Sequence, residues 1–267
     1  MSFFSNLVNW YLSRLILRTV RLLLHDLFRE IELNRLTNEM ILAEMKRDSF
    51  VRISGAVHEV AFWDRRLHQG IPERAGKTQL AGRYLSYFQT LTKHFPIDQT
   101  SILDVGAGPF TSIGTYIGDI RLCITAVDSL APYYDNLIEK YALDPPIRTI
   151  FAEAEKLSAL FAPESFVWVN AENSIDHAAQ PVEAIREMVS LVKPGGMITL
   201  RHRSNEAIKE SYSGFHQWNL YQESGIFYVC GRHREAAVNI NKMIPSDWSI
   251  RTYDEQDFVI FEARRPL

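Results

Sequence analysis

The chain has 267 residues, 46% of them hydrophobic and 23% charged, with 29 Lys and Arg against 32 Asp and Glu. A net charge of −3 excludes a generally basic nucleic-acid-binding surface and a disordered acidic tail, and the length suits one α/β domain with an appendage. Two cysteines are too few for a disulfide framework or a cysteine-based zinc site, which points to a reducing compartment, and the expected location is the cytoplasm.

Residues 3–48 contain no Gly and no Pro and predict one or two long helices. Arg18, His25, Glu32, Glu39 and Lys46 fall seven apart, with Arg14 and Arg21 beside them, so they form one polar stripe. Leu17, Val20, Leu24, Leu27, Ile31 and Ile41 fill much of the remaining surface. Neither a signal peptide nor a transmembrane span is expected, because arginines interrupt the apolar runs well short of ~18 residues. Apolar sides this wide need a cover. One is the chain's own domain or a second copy of it, a homo-oligomer through residues 1–48. The other is peripheral contact with the inner face of a membrane, since residues 1–24 carry Arg14, Arg18, Arg21, Phe3, Phe4, Trp10 and Tyr11 and no acid.

A second unit is expected to begin after Ser54-Gly55. This gives an amphipathic extension over 1–54, a helical lid or linker over 55–97 and a core domain over 98–267. From residue 101 the pattern changes to short β-rich runs at 101–105, 123–128, 147–151, 166–169 and 196–200, separated by helical stretches. Such alternation predicts a parallel sheet wound by helices on both faces, with ligands beyond the carboxyl ends of its strands. An inserted hairpin is expected at about 214–230, turning at Ser224-Gly225, and a final antiparallel pair in the tail completes seven strands.

The first run leads into Gly106-Ala107-Gly108-Pro109, and the second ends on Asp128, twenty residues after Gly108. Paired glycines let a backbone approach a nucleotide, and an acid at the end of the second strand accepts ribose hydroxyls; the bland alternative for Asp128 is a helix N-cap. A nicotinamide dinucleotide fits poorly. Thr111 stands where a third glycine belongs, and Asp104 would repel a pyrophosphate. A cofactor with a cationic sulfonium and ammonium tolerates that acid.

These motifs resemble the class I S-adenosylmethionine-dependent methyltransferases. Residues 102–109 are similar to the first motif of that superfamily, residues 124–128 to its second, Ala152-Glu153-Ala154 to the turn that contacts adenine, and residues 192–198 to its Lys-Pro-Gly-Gly turn. The resemblance covers about residues 98–203 and implies a doubly wound, mostly parallel, seven-stranded Rossmann-like sheet that binds S-adenosyl-L-methionine. It implies Asp104, Gly106, Ala107 and Gly108 beside the methionine part, Asp128 and Ser129 at the ribose, Glu153 and Ala154 at the adenine, and Asn170 at the end of the fourth strand.

Next to the transferable methyl comes Asn170-Ala171-Glu172-Asn173-Ser174-Ile175-Asp176-His177, which resembles the variant of small-molecule and glycan methyltransferases. It lacks the Asn/Asp-Pro-Pro-Tyr/Phe segment typical of enzymes acting on amino groups of nucleic acids, so a small-molecule or glycan acceptor is expected and no nucleic acid. His177, His202 and His216 are the candidate catalytic residues, expected in one cleft with Trp218 and Tyr221 as platforms for a sugar ring; each also has a bracing or core alternative. Three histidines raise a metal site, and His177, His202, His216 and nearby Asp176 could converge in space, but none lies in a His-x-x-x-His pair on a helix, and no metal is expected. The implied activity is O-methylation of a hydroxyl on a sugar, glycan or glycolipid. The alternatives are N-methylation of a small metabolite and an inactive cofactor-binding partner subunit tethered by its N-terminal helix.

Overall fold

The computed structural model describes residues 50–267; the helices and the membrane or oligomer contact expected over residues 1–48 lie outside the described residues. Among the described residues no helix is long and apolar enough to cross a membrane.

Helix α1 (Phe50–Gln69) opens the described chain, followed by the short helix α2 (Leu85–Leu91). Strands β1 (Ser101–Val105), β2 (Tyr116–Ile117), β3 (Ile120–Arg121), β4 (Cys123–Asp128), β5 (Thr149–Phe151), β6 (Phe166–Glu172) and β7 (Val192–Arg203) come next, with α3 (Ala131–Lys140) after β4 and α4 (Pro181–Ser190) after β6. The one-turn α5 (Glu206–Lys209) precedes β8 (Asn219–Glu223), β9 (Ile226–Cys230), β10 (Val238–Asn239), β11 (Ser249–Glu255) and β12 (Phe258–Arg264).

The main sheet has seven strands in the order β11-β12-β7-β6-β1-β4-β5. β1 pairs in parallel with both β4 and β6, so the chain reverses its direction of winding beside β1, and a crevice opens above that point. β12 runs antiparallel to β7 and closes the sheet with β11. β1 and β6 are buried along nearly their whole length, which is why they read as unbroken apolar runs rather than as alternating ones. On one face Leu103, Val169, Ile198 and Phe261 pack against Ile185 and Met188 of α4. On the other, Ile102, Trp168 and Met197 pack against Tyr84, Tyr87, Phe88 and Leu91.

The expected boundary at Ser54-Gly55 falls inside α1, which runs unbroken from Phe50 to Gln69. The stretch before residue 98 is not wholly a lid: Tyr84, Phe88 and Leu91 are core residues that cover one face of the sheet. Beyond those, α1 packs Val60, Trp63 and Leu67 against Leu130, Tyr134, Leu137 and Ile138 at α3. The hairpin β8–β9 is narrower than 214–230 and turns through Ser224 (φ 52°) and Gly225 (φ 77°), two left-handed residues as a type I′ turn requires. Residues 213–218 enter it as loop.

Candidate active site

A cavity of about 1130 Å³ lies beyond the carboxyl ends of β1, β4 and β6. Its floor is the turn after β1, where Gly106 (φ +69°) and Gly108 (φ +64°) hold left-handed conformations that disfavour side chains. Space demands glycine as well: a Cβ at 106 would collide with Ser174, and one at 108 would press on the Trp63 ring at 3.2 Å. The Gly106 N–H donates to Val127 O at 2.8 Å, which ties the turn to the neighbouring strand. Gly108 N–H donates to Asp128 Oδ2 at 3.0 Å, and Leu130 N–H donates to Oδ1 at 2.8 Å. Asp128 therefore braces the glycine turn and the approach to α3 together, and each oxygen keeps a further acceptor position where the residue lines the cavity. Ser129, Glu153 and Ala154 line the same wall, and Asp104 and Ala107 complete the floor. Bare backbone beside a long cavity, with acids at two strand ends, fits a nucleoside-bearing cofactor that carries positive charge.

Asp104 is fully buried. Burial pushes its pKa up to about 6, although Thr111 Oγ1–H donates to Oδ2 at 2.7 Å and Asn170 Nδ2–H to Oδ1 at 2.9 Å. Thr111, which counted against a dinucleotide, is thus the brace of this acid. Asn170 does not line the cavity. It is wholly buried, accepts from Thr199 Oγ1–H at 2.7 Å, and acts on the site only through Asp104. Thr199 in turn accepts from Trp168 Nε1–H at 2.8 Å, so a chain of satisfied hydrogen bonds runs from the deepest tryptophan to the glycine turn.

Another part of the cavity wall is built from two loops. Asp176 and His177 sit in the 3₁₀ turn Ile175–His177 after β6, and His216 sits in the loop before β8. His216 Nδ1 stands 2.8 Å from Asp176 Oδ2 and 3.3 Å from His177 Nε2, while His177 Nε2 is 3.5 Å from the same Asp176 oxygen. Burial works against the Asp176 charge, but His177 and His216 outweigh it and hold the acid at about 2. Burial also opposes the His216 cation, and the bond to Asp176 overcomes it and raises that imidazole above its ordinary value. Phe215 lies beside His177, ring centroids 5.6 Å apart.

His202 does not join its two partners at the cavity wall. It is 1% exposed, on β7 behind the turn, and its Nδ1 accepts from Ser174 N–H at 3.3 Å. Burial lowers its pKa to about 4, so it serves as a neutral brace for Ser174, the residue against Gly106. The two aromatics expected as a sugar platform do not line the cavity. Tyr221 is buried in the hairpin against Tyr228 and Trp218 packs on the core, whereas Phe62, Trp63, Tyr134, Phe215 and Phe258 line the cavity. A hairpin strand alternates its faces, and the sequence does not reveal which face meets the neighbouring sheet.

Glu172 is the residue that sequence reasoning passed over. It ends β6 at the cavity, where Oε2 accepts from Arg83 Nη2–H and Tyr84 O–H, both at 2.8 Å, and Oε1 from Arg201 Nη1–H at 3.0 Å. Burial opposes its charge, but the Ser112 hydroxyl and Arg83 hold its pKa below the usual range. Its one signal was position, a strand-end acid two residues after Asn170. Arg74, stacked 4.5 Å over the Trp63 ring, lines the cavity beside it and likewise carried no motif.

Residues 103–200 match a family model described as a methyltransferase domain. No curated protein matches the chain. Among solved structures it is similar to phosphoethanolamine N-methyltransferase 2 of Haemonchus contortus, with a TM-score of 0.50, 14% identity, and coverage of 83% of this chain and 61% of that one. It is also similar to the [4+2]-cyclase SpnF (TM-score 0.43, 13% identity, 81% and 96% covered) and to a possible histamine N-methyltransferase of Thermotoga maritima (0.40, 16%, 68% and 89%). At such identities the likeness is one of fold.

Proposed function

We propose that this chain, a class I S-adenosylmethionine-dependent methyltransferase, methylates a hydroxyl on a sugar, glycan or glycolipid. The observation that carries this reading is the pair His177 and His216 gathered on buried Asp176 at the cavity wall. A hydroxyl must give up its proton as it is methylated, and imidazoles oriented by a carboxylate are suited to take it. When bound, S-adenosylmethionine supplies an electrophilic methyl carbon on a sulfonium. Gly106 to Gly108 offer their backbone to it, Asp128 its carboxylate to the ribose hydroxyls, Glu153 its carboxylate to the adenine, and Asp104 a negative floor to the methionine end. Phe215 gives a ring-shaped acceptor an apolar wall beside the histidines, so this chain contributes chiefly proximity and a place for the proton.

The test is a panel of sugars, glycolipids and amines incubated with the full-length chain and the cofactor, read by mass spectrometry for a product heavier by one CH₂. His177→Ala and His216→Ala are expected to lose roughly 10²–10⁴-fold in turnover while keeping cofactor affinity. An amine acceptor needs no base, so near wild-type turnover in both variants favours N-methylation instead. Cofactor binding with no turnover on any acceptor favours an inactive subunit.

A further inference from the structure

The geometry points to a divalent-cation site: we propose that Asp176, His177 and His216 bind one first-row transition-metal ion, zinc foremost, at the acceptor side of the cavity. No His-x-x-x-His pair marks this site in the sequence, where the three residues come from two loops about forty positions apart. In the fold they converge. Asp176 Oδ2, His177 Nε2 and His216 Nδ1 stand 2.8, 3.3 and 3.5 Å from one another. Ligand atoms bound at about 2.1 Å to one ion, at tetrahedral to octahedral angles, stand roughly 3.0–3.4 Å apart, so each side of this triangle lies within about 0.2 Å of the spacing of neighbouring positions in a coordination sphere.

Protons alone serve the triangle poorly. A single N–H on His216 cannot point well at both the Asp176 oxygen and the His177 nitrogen, and an ion in the middle satisfies all three atoms at once. A second observation agrees. Asp176 is 2% exposed, yet its other oxygen, Oδ1, has no hydrogen-bond partner. Glu206, close enough to Asp176 and His216 to act on them electrostatically, also has a buried Oε2 without a partner and lines the same cavity. Unpaired buried acceptors around converging imidazoles mark a place for positive charge. Two nitrogens and a carboxylate select a borderline ion such as zinc or iron(II) over magnesium or calcium.

The use of such an ion rests on the hydroxyl-acceptor reading above, with one change: nitrogens that hold the ion cannot also take the proton, so His177 and His216 act by holding the ion. Its open positions face the cavity, where an acceptor hydroxyl coordinates and becomes more acidic. The hydroxyl's proton passes to water. Its oxygen then forms the bond to the methyl carbon as the carbon–sulfur bond breaks and its electron pair stays on sulfur, with nothing oxidised or reduced.

The experiment uses the full-length protein, stripped with a chelator and titrated calorimetrically with zinc chloride, then with manganese and magnesium chlorides. One zinc per chain at roughly micromolar affinity or tighter is expected, with manganese weaker and magnesium silent. His177→Ala and His216→Ala should each weaken zinc by roughly 10²-fold with circular dichroism unchanged. Should Asp176→Asn fail to fold, these two variants carry the test. No stoichiometric zinc in the stripped wild type, or unaltered affinity in both variants, overturns the site. Full turnover of the stripped enzyme on a hydroxyl acceptor overturns the ion's role while the hydroxyl reading stands. Zinc binding together with products on amines alone keeps the site and faults that reading.

Discussion

Both carboxylate oxygens of Asp128 accept backbone N–H groups, so this residue shapes the site before any ligand arrives. Asp128→Ala should therefore weaken S-adenosylhomocysteine by roughly 2–4 kcal/mol, through lost ligand bonds and a loosened glycine turn together. Calorimetry that finds the affinity unchanged in a folded variant would remove the residue from the ribose. Asp104 behaves differently, because it is the more deeply buried of the two acids and its pKa is raised to about 6. The native chain keeps that proton in a range where the unfolded chain, near 4, has released it. The resulting contribution to stability is complete below about pH 4 and is lost as pH rises through 6, by about 3 kcal/mol. Urea unfolding of the cofactor-free protein should show wild type losing that much relative to Asp104→Asn between pH 4 and 7. Parallel profiles would contradict it.

At the scale of elements, the site depends on how α1 meets the loop before β8. Gly55 lies within α1, and a Cβ there would stand 2.5 Å from the Phe215 ring, the neighbour of His216. The helix thus sets the position of the loop that carries His216 by direct packing, with a glycine in its first two turns despite the helical cost. Gly55→Ala should displace Phe215 and raise the acceptor KM roughly 10-fold, while cofactor affinity stays within about twofold. Equal changes in both constants would mean that the helix supports the whole cavity and not that loop. The run 54–55 reads as a unit boundary in sequence because Ser and Gly weaken a helix locally, and only the contact with Phe215 explains why glycine is kept inside one.

For the whole molecule, Trp168 joins a helical layer to the site. It is fully buried on β6, packs edge-on against Tyr84 and Tyr87 with ring centroids at 5.3 and 6.2 Å, and donates to Thr199. Through Thr199, Asn170 and Asp104 it connects the α2 face of the sheet to the glycine turn. Trp168→Ala should cost about 3–5 kcal/mol of stability in urea, with a cavity left on the α2 face and Thr199 without its donor. A loss below about 1 kcal/mol would mean that the helix closes over the gap and that the network is not anchored there.

The amino-acid sequence by itself determined the mostly parallel sheet and the glycine turn with Asp104 and Asp128. Continuous apolar runs such as residues 102–105 and 166–169, and left-handed turns that disfavour side chains, are local constraints written in consecutive residues. Tertiary structure alone decided which side chains reach the cavity. Asn170 and His202 lie on strands whose alternation sends them into the core, where one holds Asp104 and the other Ser174. Glu172, the last residue of β6, turns to the cavity and gathers the adjacent Arg83 and Tyr84 and, from β7, Arg201. The meeting of His216 with Asp176 and His177 depends on where a loop is pressed by α1 and on the register of a hairpin. Contacts between segments far apart in the chain leave no period or spacing for a sequence to display.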